Sequence, residues 1–231
     1  MIDLNSVLAE IEQDLSWRQD ELAFFENDLT STIKESHQKL KTRPLILLLY
    51  AHFEGHAKLM LLKYANEINK LDLDCSRSIP NLVASTLDPI FGALKNPDKS
   101  HPLFKKEYDP DFKELCRRIE FLEVLNQIMT TKISLNVDKI VDVESNLKPP
   151  VLKKIFYRLG IQHDCISDSD LGNLAKLLGY RNNIAHGGKK DGMLIAEYYN
   201  IKTSISDLLY LIKAQIISHL SQKKYELAVT S

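Results

Sequence analysis

The chain has 231 residues, 44% of them hydrophobic and 26% charged, with a formal net charge of −1. That length supports one sizeable core in one domain or one domain plus a subdomain, with a single domain over 1–231 the expectation, and the near-neutral balance argues against a protein that coats nucleic acid by charge alone. Eight glycines and eight prolines are too few for a β-rich or low-complexity chain, and Cys75, Cys116 and Cys165, odd in number and widely spaced, suggest neither a disulfide framework nor a CxxC zinc site.

Leu4, Val7, Leu8, Ile11, Leu15, Leu22, Phe25, Leu29 and Ile33 recur at helical spacing and predict one long helix over about 3–40. Pro44 sits where a second helix can begin, and the nearly all-apolar first half of 44–71 places that helix in the core. Pro80, Pro89, Pro97 and Pro102 allow only short helices in 72–108, about 79–95 foremost, so this segment reads as an insertion on the bundle. Asp109-Pro110, a cap followed by a first-turn proline, opens a helix over 110–130. Within the connection 131–149, residues 133–143 alternate weakly through Ile133, Leu135 and Val137, which fits either a short strand or an extended loop. Pro149-Pro150 opens a helix to about Leu159, Ser167-Asp168-Ser169-Asp170 caps the next, and Gly187-Gly188 ends it. A last helix, about 196–224, carries Ile201, Ile205, Leu208 and Ile212 on its core face. The expected fold class is an all-α helical bundle with long antiparallel helices.

Met1-Ile2-Asp3-Leu4-Asn5 lacks the basic start of an export signal, and no apolar run reaches the roughly 18–20 residues of a membrane span. A cytoplasmic protein without membrane contact is the expectation. Charge is divided along the chain: residues 1–146 carry 18 basic against 24 acidic side chains, residues 147–231 carry 12 against 7. In the basic part Lys148, Lys153, Lys154, Arg158, Lys189 and Lys190 either meet phosphates or form a solvated charged face.

The most informative stretch lies in that basic part: Arg181-Asn182-Asn183-Ile184-Ala185-His186-Gly187. At about 100° per residue, Leu171, Leu174, Ala175, Leu178 and Ala185 fall in one sector, with Asn182 near its centre and Arg181 and His186 flanking it. Polar groups unpaired on a packing face cost roughly 1–3 kcal/mol each, so these must meet partners, water or a ligand.

Arg-Asn-Asn-Ile-Ala-His resembles the R-x4–6-H motif of the HEPN superfamily, the all-helical domains that include many RNA-cleaving toxins and defence nucleases. Asn182 is the polar residue that the family favours after the arginine. Upstream, His52-Phe53-Glu54-Gly55 followed by Lys58 resembles a helix of a subgroup of stand-alone HEPN proteins, and the two matches together cover most of the chain. Arg158-Leu159-Gly160-Ile161-Gln162-His163 also has the spacing, but Leu159 replaces the polar residue and Gly160 breaks the helix before the histidine.

RNA carries its own nucleophile, the 2′-OH, so cleavage needs a group to take its proton, a group to protonate the departing 5′-oxygen, and positive charge on the transition state. No metal and no cofactor are required in principle. His186, with an ordinary pKa of about 6.5, suits either proton transfer. Arg181 would stabilise the developing phosphate charge through its planar fork, and Asn182, four residues before His186, would orient the imidazole or donate to a phosphate oxygen. One motif supplies a single histidine. The resemblance implies a homodimer whose facing motifs form one composite site, an RNA substrate, products ending in 2′,3′-cyclic phosphate and 5′-hydroxyl, and an antitoxin or a restriction or defence partner.

Glu54 pairs by spacing with Lys58, either supporting the catalytic face from a neighbouring helix or forming a buried structural ion pair. His52 and His56 have the i, i+4 spacing of shared metal ligands, but Phe53 stands where a zincin has glutamate, and no metal site is expected. Tyr198-Tyr199 fit base stacking or the core. In a nucleotidyl-modified HEPN toxin a tyrosine follows the histidine by two, whereas here that position is Gly188. Two further readings stay open: a HEPN domain that holds RNA or a nucleotide without cleaving it, and a helical partner subunit of a restriction or toxin–antitoxin complex.

Overall fold

The apolar stretch after Pro44 cannot face water, and the fold is built around it. In the computed structural model, which describes every residue except Met1, Asp28, 30–33, Glu107, Met129, His163, Cys165, Lys189 and 229–231, helix α1 (Leu4–Glu26) leads into the central helix α2 (Glu35–Asn69). The expected single helix over 3–40 is therefore two helices, with Ile33 outside the described residues. Asn27, a poor helix former, stands at the C-cap of α1, and the Leu29 amide turns back to the Glu26 carbonyl (2.9 Å), so the helix ends there. Asp3 caps α1 by accepting from the Asn5 and Ser6 amides.

Pro44 lies inside α2 rather than in its first turn. With no N–H it has nothing to give the carbonyl one turn back. Just before it, α2 also bonds a distant loop: Gly192 donates to the Lys39 carbonyl (2.9 Å), Thr42 Oγ1 donates to the Met193 carbonyl (2.6 Å), and the Met193 amide donates to Thr42 Oγ1 (3.1 Å).

In the stretch 72–108 the short helices α3 (Pro80–Thr86) and α4 (Asp88–Lys95) stand where one over about 79–95 is expected, and α5 (Pro110–Gln127), the helix expected over 110–130, is capped by Asp109 and packs on α4. After α5 the chain is an extended loop rather than a strand. Among the described residues it makes an isolated bridge of Asp74 with Lys132 and bonds Ile133 to the Leu73 carbonyl. Asn69 grips Leu135 through both amide atoms before the one-turn helix α6 (Val137–Ile140). Helix α7 (Pro149–Leu159) ends on Gly160 at φ +69°, followed by α8 (Asp168–Ala185) and α9 (Ile195–Ser221).

Helix α2 packs against α1, α8 and α9, and the buried residues of all four join one cluster that includes Ile11, Phe53, Met60, Leu174, Ile205 and Ile212. Averaged over eighteen residues, α2 is long and apolar enough to cross a membrane, contrary to the reading of uninterrupted runs, because His52, Glu54, His56 and Lys58 interrupt the run without cancelling its average. In this fold it is the core helix. The described residues thus build an all-α bundle, as the periodicity predicts.

Candidate active site

Helix α8 is fixed at both ends by its sequence. Ser167 Oγ accepts from the Asp170 amide (3.1 Å), Asp168 and Asp170 place negative charge at the positive end of the helix, and Gly187 terminates the other end at φ +71°. Ser204 on α9 donates to Asp170 (3.2 Å) and accepts from Asn173 (3.0 Å), which sets the rotation of α8 on the bundle. Leu171, Leu174, Leu177, Leu178 and Ile184 are buried, whereas Ala175 and Ala185 are exposed. The buried sector is thus rotated from the expected one: Arg181, rather than Asn182, continues its centre.

That position brings Arg181 onto α2. Its guanidinium lies over the Tyr50 ring, 5.2 Å from the centroid, and Nη1 donates to Asn182 Oδ1 at 2.9 Å. Tyr50 donates its hydroxyl to Glu54 Oε2 (2.6 Å), and the same oxygen accepts from the Leu147 amide (2.8 Å). Burial, and then the bond to the Glu54 carboxylate, push the Tyr50 hydroxyl above the usual phenol range, so it remains a donor. Tyr50, Glu54, Lys58, Val143, Arg181 and Ala185 line a cleft of about 430 Å³.

The predicted residues divide between this cleft and elsewhere. Glu54 and Lys58 are both in the lining but do not form an ion pair with each other: Glu54 faces Tyr50 and Leu147, and Lys58 is exposed, with no ion-pair partner among the described residues. Asn182 holds Arg181 rather than the imidazole. His186 stands on the exposed turn just beyond Ala185, its amide bonded to the Asn182 carbonyl (3.0 Å), and its ring has no partner among the described residues.

The basic residues do not gather at the cleft. Lys153 is half-buried on α7, Lys154 pairs with Glu144, and Arg158 donates to the Lys139 carbonyl (3.3 Å) beside a separate cavity of about 490 Å³. Lys190 is exposed after the motif, and Lys189 lies outside the described residues. Tyr198 is core, donating to Glu26 (2.6 Å), while Tyr199 is partly exposed against it.

Tyr50 is the residue sequence reasoning passed over. Its spacing of four from Glu54 puts both on one helical face, a signal available in the sequence. Val143 ends the weak alternation of 133–143, which does not point to a site, and Leu147 comes from the loop before α7, where no periodicity marks it.

The two histidines of α2 do not converge on a common point. His56 Nδ1 lies 2.6 Å from Asp14 Oδ2, and His52 Nε2 lies 2.8 Å from Glu21 Oε2. Arg18 joins the two pairs, donating to Asp14 through Nε (2.8 Å) and facing His52 Nδ1 (3.3 Å). Burial opposes ionisation of Asp14, but bonds from Arg18, His56 and Trp17 outweigh it and hold the carboxyl at about 2. Burial lowers both histidines despite their acidic neighbours. Gly55 is what admits Arg18, since a Cβ there would lie 2.8 Å from the guanidinium. This network ties α1 to α2 behind the cleft.

A model of the RiboL-PSP-HEPN family matches residues 13–218, from within α1 to within α9. No curated protein and no solved structure matches the chain.

Proposed function

Because the chain belongs to the RiboL-PSP-HEPN family, whose HEPN domains are frequently ribonucleases, we propose that it is a metal-independent endoribonuclease acting through Arg181, Asn182 and His186. The observation that carries this reading is the Arg181 guanidinium, seated on Tyr50 and braced by Asn182 at the end of α8, beside an exposed histidine. Arg181 has donors left over for a phosphate, and its neighbours fix its plane.

The reaction requires two proton transfers. His186 of one copy takes the 2′-OH proton as the oxygen attacks phosphorus. The 5′-oxygen leaves with a proton from the partner subunit's His186, giving a 2′,3′-cyclic phosphate and a 5′-hydroxyl. An apolar groove adjoins the cleft through Leu47 and Ala51, and Phe24 and Phe25 are 72% and 51% exposed beside it. Exposed aromatics of this kind suit the second copy that the composite site needs. Such an activity would have to be restrained until triggered, which fits a toxin with its antitoxin or an effector of a restriction or phage-defence system.

The His186 ring, without a partner among the described residues, also favours a second reading, a HEPN domain that holds RNA without cutting it. Incubating end-labelled structured RNA and tRNA in EDTA with wild type, Arg181→Ala and His186→Ala decides between them. Cleavage by wild type alone, ending in 2′,3′-cyclic phosphate, is the expected result. Retention of RNA without cleavage by any of the three would establish the second reading, and cleavage indifferent to both substitutions would exclude the motif from the chemistry.

A further inference from the structure

Helix α5 is apolar on two opposite faces. The inner face packs on α4: Phe121 meets Phe91 at 5.8 Å between ring centroids, and Arg117 Nε donates to the Leu94 carbonyl at 3.2 Å. On the opposite side Leu115, Ile119 and Leu122 stand 50%, 47% and 55% exposed. An ordinary solvent-facing helix surface carries scattered apolar residues, not three in register at i, i+4 and i+7.

The spacing is that of a coiled-coil seam. Ile119 and Asn126 take a positions and Leu115 and Leu122 take d positions, which makes Arg118 a g residue and Glu123 the following e residue. Isoleucine at a with leucine at d favours two strands, and a single asparagine at a fixes register. In a parallel pair the g residue of one helix faces the following e residue of the other, so Arg118 meets Glu123 of the partner subunit on both sides of the seam. Among the described residues Arg118 pairs with the half-exposed Glu114, a surface contact worth little, and Glu123 has no ion-pair partner there. Because α4 already holds α5 in its helical form, pairing would not have to meet the cost of helix nucleation.

We propose that the outer face of α5 is a self-association surface, at which two copies of the chain pair through parallel α5 helices with Leu115, Ile119, Leu122 and Asn126 in register. This pairing is separate from the composite cleavage site and does not depend on the nuclease reading.

Identical d residues face each other only in a parallel, in-register pair. The full chain carrying Cys116→Ser and Leu122→Cys is therefore expected to form a disulfide-linked dimer under mild oxidation on a non-reducing gel. The same chain with Glu114→Cys, off the seam, is expected to stay monomeric on that gel. Adding Arg118→Glu or Glu123→Arg singly should lose the cross-link, and adding both should restore it. Absence of the Leu122→Cys cross-link, equal cross-linking at position 114, or failure of the double reversal to restore it overturns the proposal. RNA cleavage by the same proteins is read separately, so loss of one activity is not mistaken for loss of the other.

Discussion

The guanidinium of Arg181 on α8 rests on the ring of Tyr50 on α2, 5.2 Å from its centroid, while the Tyr50 hydroxyl reaches away to Glu54. The ring and the hydroxyl of one side chain therefore do different things. Tyr50→Phe keeps the surface under Arg181, whereas Tyr50→Leu removes it. A cation–π contact is worth about 0.5–2 kcal/mol, or roughly two- to thirtyfold in rate. Single-turnover RNA cleavage should therefore fall by that much more in Tyr50→Leu than in Tyr50→Phe. Equal losses in the two variants would mean that the ring does not position Arg181.

Glu54 has a structural role that can be separated from any part in catalysis. One carboxylate oxygen accepts from both the Tyr50 hydroxyl and the Leu147 amide, joining α2 to the loop before α7. Glu54→Ala leaves both donors without an acceptor and should cost about 1–3 kcal/mol in urea denaturation. Glu54→Gln retains an acceptor oxygen and should recover most of that stability. If Gln is as destabilised as Ala, the negative charge, not the hydrogen bonds, is what matters there.

How far the sequence foretold this arrangement depended on whether a residue's role was local. Ser167, Gly187 and Pro149 act on their own helix ends, and each does what its residue type predicts. Periodicity identified α8 but misjudged its rotation, because Ala175 and Ala185 are small enough to lie on either side of a packing boundary. The rotation is set instead by bonds to Ser204 on another helix. Likewise Pro44 looked like a helix start, since nothing nearby shows that Gly192 and Met193, about 150 residues later, bond to α2 around it. The i, i+4 spacing of His52 and His56 says nothing of their partners, because Glu21 and Asp14 come from a different helix, α1.

The Gly192 contact itself can be tested. A Cβ at position 192 would lie 2.4 Å from the Lys39 carbonyl oxygen and 2.5 Å from Thr42 Oγ1, closer than any real contact. Gly192→Ala must push the loop after the motif off α2, at about 1–3 kcal/mol. Thr42→Val removes the reciprocal bonds to Met193 and acts on the same contact. The double variant should therefore be less destabilised than the sum of the singles in a double-mutant cycle. Strict additivity would show that the two residues do not share one docking contact.

His219 gives the fold a dependence on pH away from the candidate site. The residue is 2% exposed against the edge of Tyr64, and neither ring nitrogen has a partner among the described residues. Burial, with the nearby Lys224 charge, lowers it from its ordinary value to about 4. The unfolded chain takes up this proton near pH 6.5 and the folded chain does not. The stabilisation is therefore complete above pH 6.5 and is lost as pH falls toward 4, by up to about 3 kcal/mol. Asp14, held at about 2, loses its contribution only at lower pH, as acidity passes below the usual carboxylate value. His219→Phe fills the same space without nitrogens to satisfy, so its stability should be at least that of wild type at pH 5 and fall less between pH 6.5 and 4. Urea denaturation across that range provides the measurement, and parallel curves for the two proteins would show that His219 does not resist protonation in the fold.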